Sequence, residues 1–133
     1  MPSTTTRFDP TRAYLYVDVA LVHPVRGRYD FRAIIDTGAP RTEFADAFLV
    51  HAGFLESVRQ DIPLRQGLQT QKHGKLVLPT LEICGHVLTD YQVMVSRFEE
   101  SWGIAALIGL DFFRRFRVTV DYKAGHLVTE SYA

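Results

Sequence analysis

Short runs of β-branched and aromatic residues, separated by turn-forming glycines and prolines, are the feature that most limits what this chain can fold into. Runs with the composition and alternation of β-strands are "AYLYVDVALV", "YDFRAIID", "KLVLPTLEI", "CGHVLTDYQVMV" and "RVTVDY". Two segments, "RTEFADAFLVHAGF" and "DFFRRF", indicate short helices instead. The pattern therefore predicts a mainly β protein with two short helices.

The length of the chain predicts a single domain. It has 133 residues, of which 47% are hydrophobic, enough for one core and too many for a disordered protein. Residues 1–11 are polar, rich in threonine and contain two prolines. We therefore expect a flexible N-terminal arm at 1–11 and a single domain over 12–133.

Charge and composition disfavour several classes of function. Lys plus Arg and Asp plus Glu number 15 each, so the formal net charge is zero, which argues against a nucleic-acid partner. The longest apolar run, 103–110, is far shorter than the roughly 20 residues that cross a bilayer, and residues 1–10 do not resemble a secretory signal. A single cysteine, Cys84, allows no intrachain disulfide. The sequence predicts a soluble, cytoplasmic protein that does not bind membranes.

The five histidines do not indicate a metal site. They are scattered along the chain, and none lies in a ligand spacing such as H-E-x-x-H. Cys84 has no histidine or acid patterned around it, so we interpret it as a buried structural thiol. We expect neither a metal ion nor a cofactor.

The stretch "AIIDTGA" is the candidate for chemistry. Its apolar residues end in Asp36, and Gly38 and Ala39 are small enough to let the chain turn sharply. A single carboxylate is a poor catalyst of hydrolysis. Two carboxylates at close range cannot both ionise easily, so they share a proton, and one can accept a proton from water while the other donates one. The chain has one Asp-Thr-Gly, so such a pair requires a symmetric dimer.

This stretch, followed about 70 residues later by "ALIGLDFFRRFRVTVDY", resembles the retropepsin-like aspartic proteases. These are the single-lobe, dimeric relatives of pepsin found in retroviruses and in many bacteria. The resemblance covers roughly residues 13–130 and depends on two motifs in family order. It implies a single-lobe acid-protease barrel that acts as a homodimer. The implied activity is an aspartic endopeptidase that cleaves a peptide or protein substrate without a cofactor.

The resemblance also implies the roles of individual residues. Asp36 is the implied catalytic aspartate, and Thr37, Gly38 and Ala39 complete its loop. Leu107, Ile108 and Gly109 are implied to pack against that loop. The polar segment 66–75 corresponds to the flap that closes over a bound peptide. Its candidate substrate-contacting residues are Gly67, Gln69, Gln71, His73 and Gly74.

Two departures from the family pattern keep a second hypothesis open. The flap segment contains two glycines, fewer than retroviral flaps have, and Arg41 and Glu43 follow the catalytic loop closely. An arginine beside Asp36 would disfavour a shared proton, although we expect Arg41 to face solvent. The alternative is a catalytically silent, dimeric peptide-binding or scaffold module of the same fold. Excision from a longer polypeptide, or activation by removal of residues 1–11, is a third possibility.

Overall fold

The computed structural model describes residues 3–56, 64–65, 74–99, 101 and 103–132, with the backbone alone at 64–65. Ten strands and two short helices lie within these residues. They are β1 (Ser3–Arg7), β2 (Tyr16–His23), β3 (Gly27–Ile35), β4 (Glu43–Ala45), α1 (Asp46–His51), β5 (Leu64–Arg65), β6 (Lys75–Ile83), β7 (His86–Phe98), β8 (Ala106–Ile108), α2 (Leu110–Phe113), β9 (Phe116–Asp121) and β10 (His126–Ser131).

Six of the strands form a closed barrel. The strand order is β4-β8-β3-β2-β6-β7, and the pairing of β4 with β7 closes the ring, while β5 adds to the edge of β7. The hairpins β2–β3 and β6–β7 are antiparallel, whereas β3–β8 and β4–β7 are parallel. Closure leaves few free edges on the barrel strands. The prediction of a mainly β fold with two short helices is confirmed.

The turns between strands lie where glycine and proline predicted them. Gly27 and Gly85 both have positive φ, +91° and +78°, a region that glycine enters without steric cost. The first predicted strand begins at Tyr16 rather than Ala13. In the described ranges, no helix is long and apolar enough to cross a membrane.

The core fills the barrel interior. Its largest fully buried side chains are Phe44, Phe112, Leu21, Leu49, Leu78, Leu81, Ile83, Ile108, Leu127 and Val17. Burying each large apolar side chain contributes about 1.5–3 kcal/mol. A smaller cluster lies apart from it and contains Ile34, Ala45, Phe98, Ile104 and Leu107. The alternation of side chains along β3 explains the division, because Ala33 joins the main core and Ile34 joins the second cluster.

The N-terminal segment corrects the prediction of a flexible arm at 1–11. Ser3–Arg7 form a strand that pairs antiparallel with β10, in a three-stranded sheet of order β1-β10-β9. Thr4 fastens this strand, since its hydroxyl donates to the carbonyl of Cys84 at 2.7 Å. Threonine is polar, which suggested a loop, but it is β-branched and well suited to a half-exposed edge strand. Composition alone did not distinguish these two outcomes.

Candidate active site

The loop that carries Asp36 is folded back on that residue. The backbone N–H of Asp36 donates to the carbonyl of Ile108 at 2.9 Å, at the point where β3 ends. The N–H of Gly38 then donates to Asp36 Oδ1 at 3.0 Å, and that of Ala39 to the carbonyl of Asp36 at 3.1 Å. Aspartate often forms such a turn with the backbone two residues on. The loop therefore fixes the carboxylate through its own amides.

Solvent exposure differs sharply among residues 36–39, which form the loop. Asp36 is half-buried, Thr37 and Gly38 are exposed, and Ala39 is buried. A Cβ placed on Gly38 would lie 3.2 Å from Asp36 Oδ1, a tight contact that would press on the carboxylate. The glycine therefore leaves the position of the carboxylate unobstructed. The loop therefore presents the acid Asp36 and the hydroxyl-bearing Thr37 at the surface, while Ala39 anchors it in the interior.

Strand β8 lies beside β3, the strand that leads into the loop. Leu107 and Ile108 pair in parallel with Ile34 and Ile35. The backbone N–H of Leu110 donates to the carbonyl of Ala39 at 2.8 Å.

Gly109 lies against the end of the same loop. A Cβ added there would come within 2.6 Å of backbone atoms of Arg41 and 2.8 Å of the Ala39 carbonyl oxygen. Since a side chain cannot fit, glycine at this position permits the close packing of the two segments.

A buried hydrogen-bond network, not predicted from the sequence, joins the loop to helix α2. Thr42 is fully buried, and its hydroxyl accepts from the N–H of Gly109 at 3.1 Å and donates to Asp111 Oδ1 at 2.8 Å. The hydroxyl of Tyr91 donates to Asp111 Oδ2 at 2.8 Å. Burial, with the carboxylate of Asp111 second, raises the pKa of Tyr91, so its hydroxyl stays a donor. The network connects Thr42, Gly109 and Tyr91, from three segments of the chain, to the carboxylate of Asp111. We name it the Thr42–Asp111–Tyr91 network.

Their places beside apolar segments predict a capping role for Asp111 and a turn role for Asp121, and the role of Asp111 is corrected here. A capping role was expected from its place at the start of a helix, and Asp111 does lie in the first turn of α2. However, that helix has no side-chain cap, and the carboxylate instead receives Thr42 and Tyr91. No local sequence pattern identifies the two partners, because the threonine and the tyrosine lie 49 residues apart. Asp121, by contrast, has its predicted turn role and accepts the N–H groups of Lys123 and Ala124.

Two buried acids lie beyond the loop, on β4 and at the start of α1. Glu43 is 4% exposed, and the hydroxyl of Ser96 donates to it at 2.7 Å. Asp46 is 2% exposed and pairs with Arg97 at 3.0 Å. Buried carboxylates are tolerated when they are paired and hydrogen-bonded. Within the described residues, no group of three or more His, Cys, Asp or Glu side chains is placed to hold a metal ion.

The structure does not test the predicted flap. Gly67, Gln69, Gln71 and His73 lie outside the described residues. Gly74 is described, and its carbonyl accepts the N–H of Val95 at 2.9 Å beside β7. Arg41 is exposed, as expected from the sequence. Cys84 is buried, and this burial raises the pKa of its thiol, consistent with a structural role.

Comparison with solved structures defines the fold. A retropepsin-like aspartic protease from Rickettsia conorii aligns over 99% of this chain and 94% of its own, with a TM-score of 0.63 and 14% identity. The retroviral protease-like domain of Ddi1 from Leishmania major aligns over 92% and 93%, with a TM-score of 0.58 and 16% identity. No protein-family model and no curated protein sequence matches the chain. The chain therefore has the single-lobe retropepsin-like fold.

Proposed function

We propose that this protein is an aspartic endopeptidase whose active site forms across a homodimer. The observation that carries the proposal is the position of Asp36, fixed by the Gly38 amide at the surface of a loop with a buried base. The loop lies in a fold that this chain has in common with retropepsin-like proteins. Thr37, the next residue after Asp36, is exposed and would be available to a second chain.

The dimer follows from the number of carboxylates. Each chain supplies one Asp-Thr-Gly, and a two-fold axis through the loop would bring two copies of Asp36 together. Thr37 would then bind the loop of the partner and fix the two acids. The sheet β1-β10-β9 contains strands near both ends of the described chain, and we propose that it contributes to the subunit interface.

The proposed reaction is hydrolysis by an activated water. One aspartate accepts a proton from water as its oxygen attacks the scissile carbonyl carbon, and the other donates a proton to the carbonyl oxygen. The resulting diol collapses, the C–N bond breaks, and the leaving amine takes up a proton from the pair. No covalent enzyme intermediate and no cofactor is needed. The fixed position of Asp36 removes reorganisation from this step.

An extended peptide is the proposed substrate. Ile34 and Leu107 lie in register on neighbouring strands, on the face that continues from Asp36, and belong to the second apolar cluster. Both side chains are buried, so we propose that they support the base of the peptide groove from beneath. The peptide backbone would pair with the segment predicted as the flap, as in other cases of strand addition.

Cleavage of a diverse peptide mixture between about pH 4 and 7 tests the proposal, at a protein concentration that favours the dimer. Wild type is compared with Asp36→Asn, and with Asp90→Asn as a control for the same chemical change at an exposed position. We expect wild type and Asp90→Asn to produce the same cuts and Asp36→Asn to produce none. Cuts that persist in Asp36→Asn would refute the proposal. Absence of cuts by a folded wild-type dimer that binds peptides would favour the binding module instead.

A further inference from the structure

A row of side chains crosses five strands on the face of β3 that carries Ile34, and Lys75 is its one exposed member. Residues directly opposite each other on paired strands point to the same face of a sheet. The recorded registers connect β3, β8, β4, β7 and β6 in this way. The row consists of Ile34, Leu107, Glu43, Met94 and Lys75. Asp36 follows Ile34 by two positions, so the row begins at the catalytic loop and ends at a lysine.

A small pocket lies at the lysine end of this row. It has a volume of about 70 Å³ and is lined by Arg41, Lys75, Gln92 and Met94. Backbone bonds fix its walls, because the N–H of Met94 donates to the Thr42 carbonyl and that of Val95 to the Gly74 carbonyl, both at 2.9 Å. Arg41 and Lys75 therefore lie on opposite sides of β7. The volume is that of about two water molecules, which suits a carboxylate.

The two cations that line the pocket differ from the arginines that form ion pairs. Arg28, Arg32 and Arg97 each pair with a carboxylate. In contrast, within the described part of the chain neither Arg41 nor Lys75 forms an ion pair, and both are exposed.

The one acid in the row does not change this. The carboxylate of Glu43 accepts a hydrogen bond from the hydroxyl of Ser96. Ser96 lies two residues after Met94 along β7, whereas Gln92 lies two residues before it. The next nearest acid, Asp111, is held by Thr42 and Tyr91. Two cations thus converge on a space sized for an anion.

We propose that this pocket is a substrate subsite that selects an acidic side chain of the bound peptide, an inference that rests on the endopeptidase function proposed above. Strands lie about 4.8 Å apart, so Met94 is about 10 Å from Leu107 along the row, or about three residues of extended peptide. The pocket therefore lies about three extended residues beyond β8, at a position distal to the scissile bond. A symmetric dimer contains the pocket twice, so the preference holds on both sides of the scissile bond.

The test uses a peptide cleaved by the wild-type protein, resynthesised with Glu, Gln or Lys at each of the four positions on either side of the cut. We expect Glu to exceed Gln about 3- to 10-fold in kcat/KM at one distal position, the range that one or two partly solvated ion pairs supply. This preference should weaken at 0.5 M salt, where exposed charges are screened within about 4 Å. The double variant Arg41→Glu, Lys75→Glu should prefer Lys instead. Lys123→Glu, an exposed lysine in the turn between β9 and β10, is the matched control and should retain the preference for Glu.

A binding measurement separates this inference from the proposed function. Fluorescence anisotropy of the same labelled peptides with Asp36→Asn reports selection without turnover. Cleavage by wild type with no preference for Glu at any position would overturn the subsite and leave the endopeptidase intact. Binding of acidic peptides that is lost in the double variant, without any cleavage by wild type, would overturn the endopeptidase and support the subsite. Neither cleavage nor acid-selective binding would overturn both.

Discussion

Replacement of Thr42 by valine tests the Thr42–Asp111–Tyr91 network. Valine has nearly the shape of threonine but lacks the hydroxyl, which here makes two buried hydrogen bonds, to Asp111 at 2.8 Å and from Gly109 at 3.1 Å. A bond to a charged acceptor contributes about 1.5–3 kcal/mol and a neutral bond about 0.5–1.5 kcal/mol. Because Thr42 is fully buried and its loss leaves the buried N–H of Gly109 and the half-buried carboxylate of Asp111 without this partner, we expect Thr42→Val to lower the free energy of unfolding by about 2–4 kcal/mol.

Thr42→Ser is the matched control. Serine keeps both hydrogen bonds and loses one methyl group, which costs about 1 kcal/mol. Urea unfolding followed by far-UV circular dichroism measures both variants, at one protein concentration because a dimer makes stability depend on concentration. Valine should be the less stable by roughly 2 kcal/mol. A valine variant within about 0.5 kcal/mol of the serine variant would show that the network contributes little to stability.

Three further predictions follow from other contacts. Gly109→Ala forces a Cβ against the backbone of Arg41 and Ala39, so it should lower the free energy of unfolding by about 2–3 kcal/mol. The same urea assay measures this, and an unchanged unfolding midpoint would contradict the close packing. Burial lowers the pKa of His86 below its ordinary 6.5, so the unfolded chain binds a proton that the folded chain resists, and stability should fall as pH drops below about 6.5. Thermal unfolding across pH 5 to 8 should show this slope in wild type and a smaller one in His86→Gln; equal slopes would refute the assignment. Cys84 should react slowly with iodoacetamide at pH 8 when folded and rapidly in urea, and rapid labelling of the folded protein would contradict its burial.

The parts of the fold that sequence predicted are those set by local chemistry. Alternation identified β6 and β7, and Gly85 marked the turn between them, because strand period and positive φ are properties of a few adjacent residues. Asp36 and Gly109 were located by motifs whose spacing is fixed by the packing of two segments. The family resemblance implied a barrel, but the pairing of β4 with β7 that closes it was not identified, since it joins residues about 50 positions apart.

The errors have a physical origin in long-range contacts. Ser3–Arg7 were predicted to be flexible because their composition is polar, yet β10 supplies hydrogen-bond partners that local composition cannot reveal. Asp111 was assigned a capping role from its helix position, whereas its partners Thr42 and Tyr91 come from the residue before β4 and from β7, both distant in sequence. In both cases a polar residue was classified by its neighbours in sequence, although its partners lie far away in the chain.

The most direct test of the central claim, a catalytic pair shared between two chains, is the activity of mixed dimers. Wild type and Asp36→Asn are combined in varied ratios at constant total concentration, allowed to exchange subunits, and assayed with one cleaved peptide. If each site needs Asp36 from both chains, activity follows the square of the wild-type fraction, so an equal mixture retains about one quarter of the wild-type rate. A linear dependence, with about one half retained, would show that each chain carries a complete site and would contradict the account.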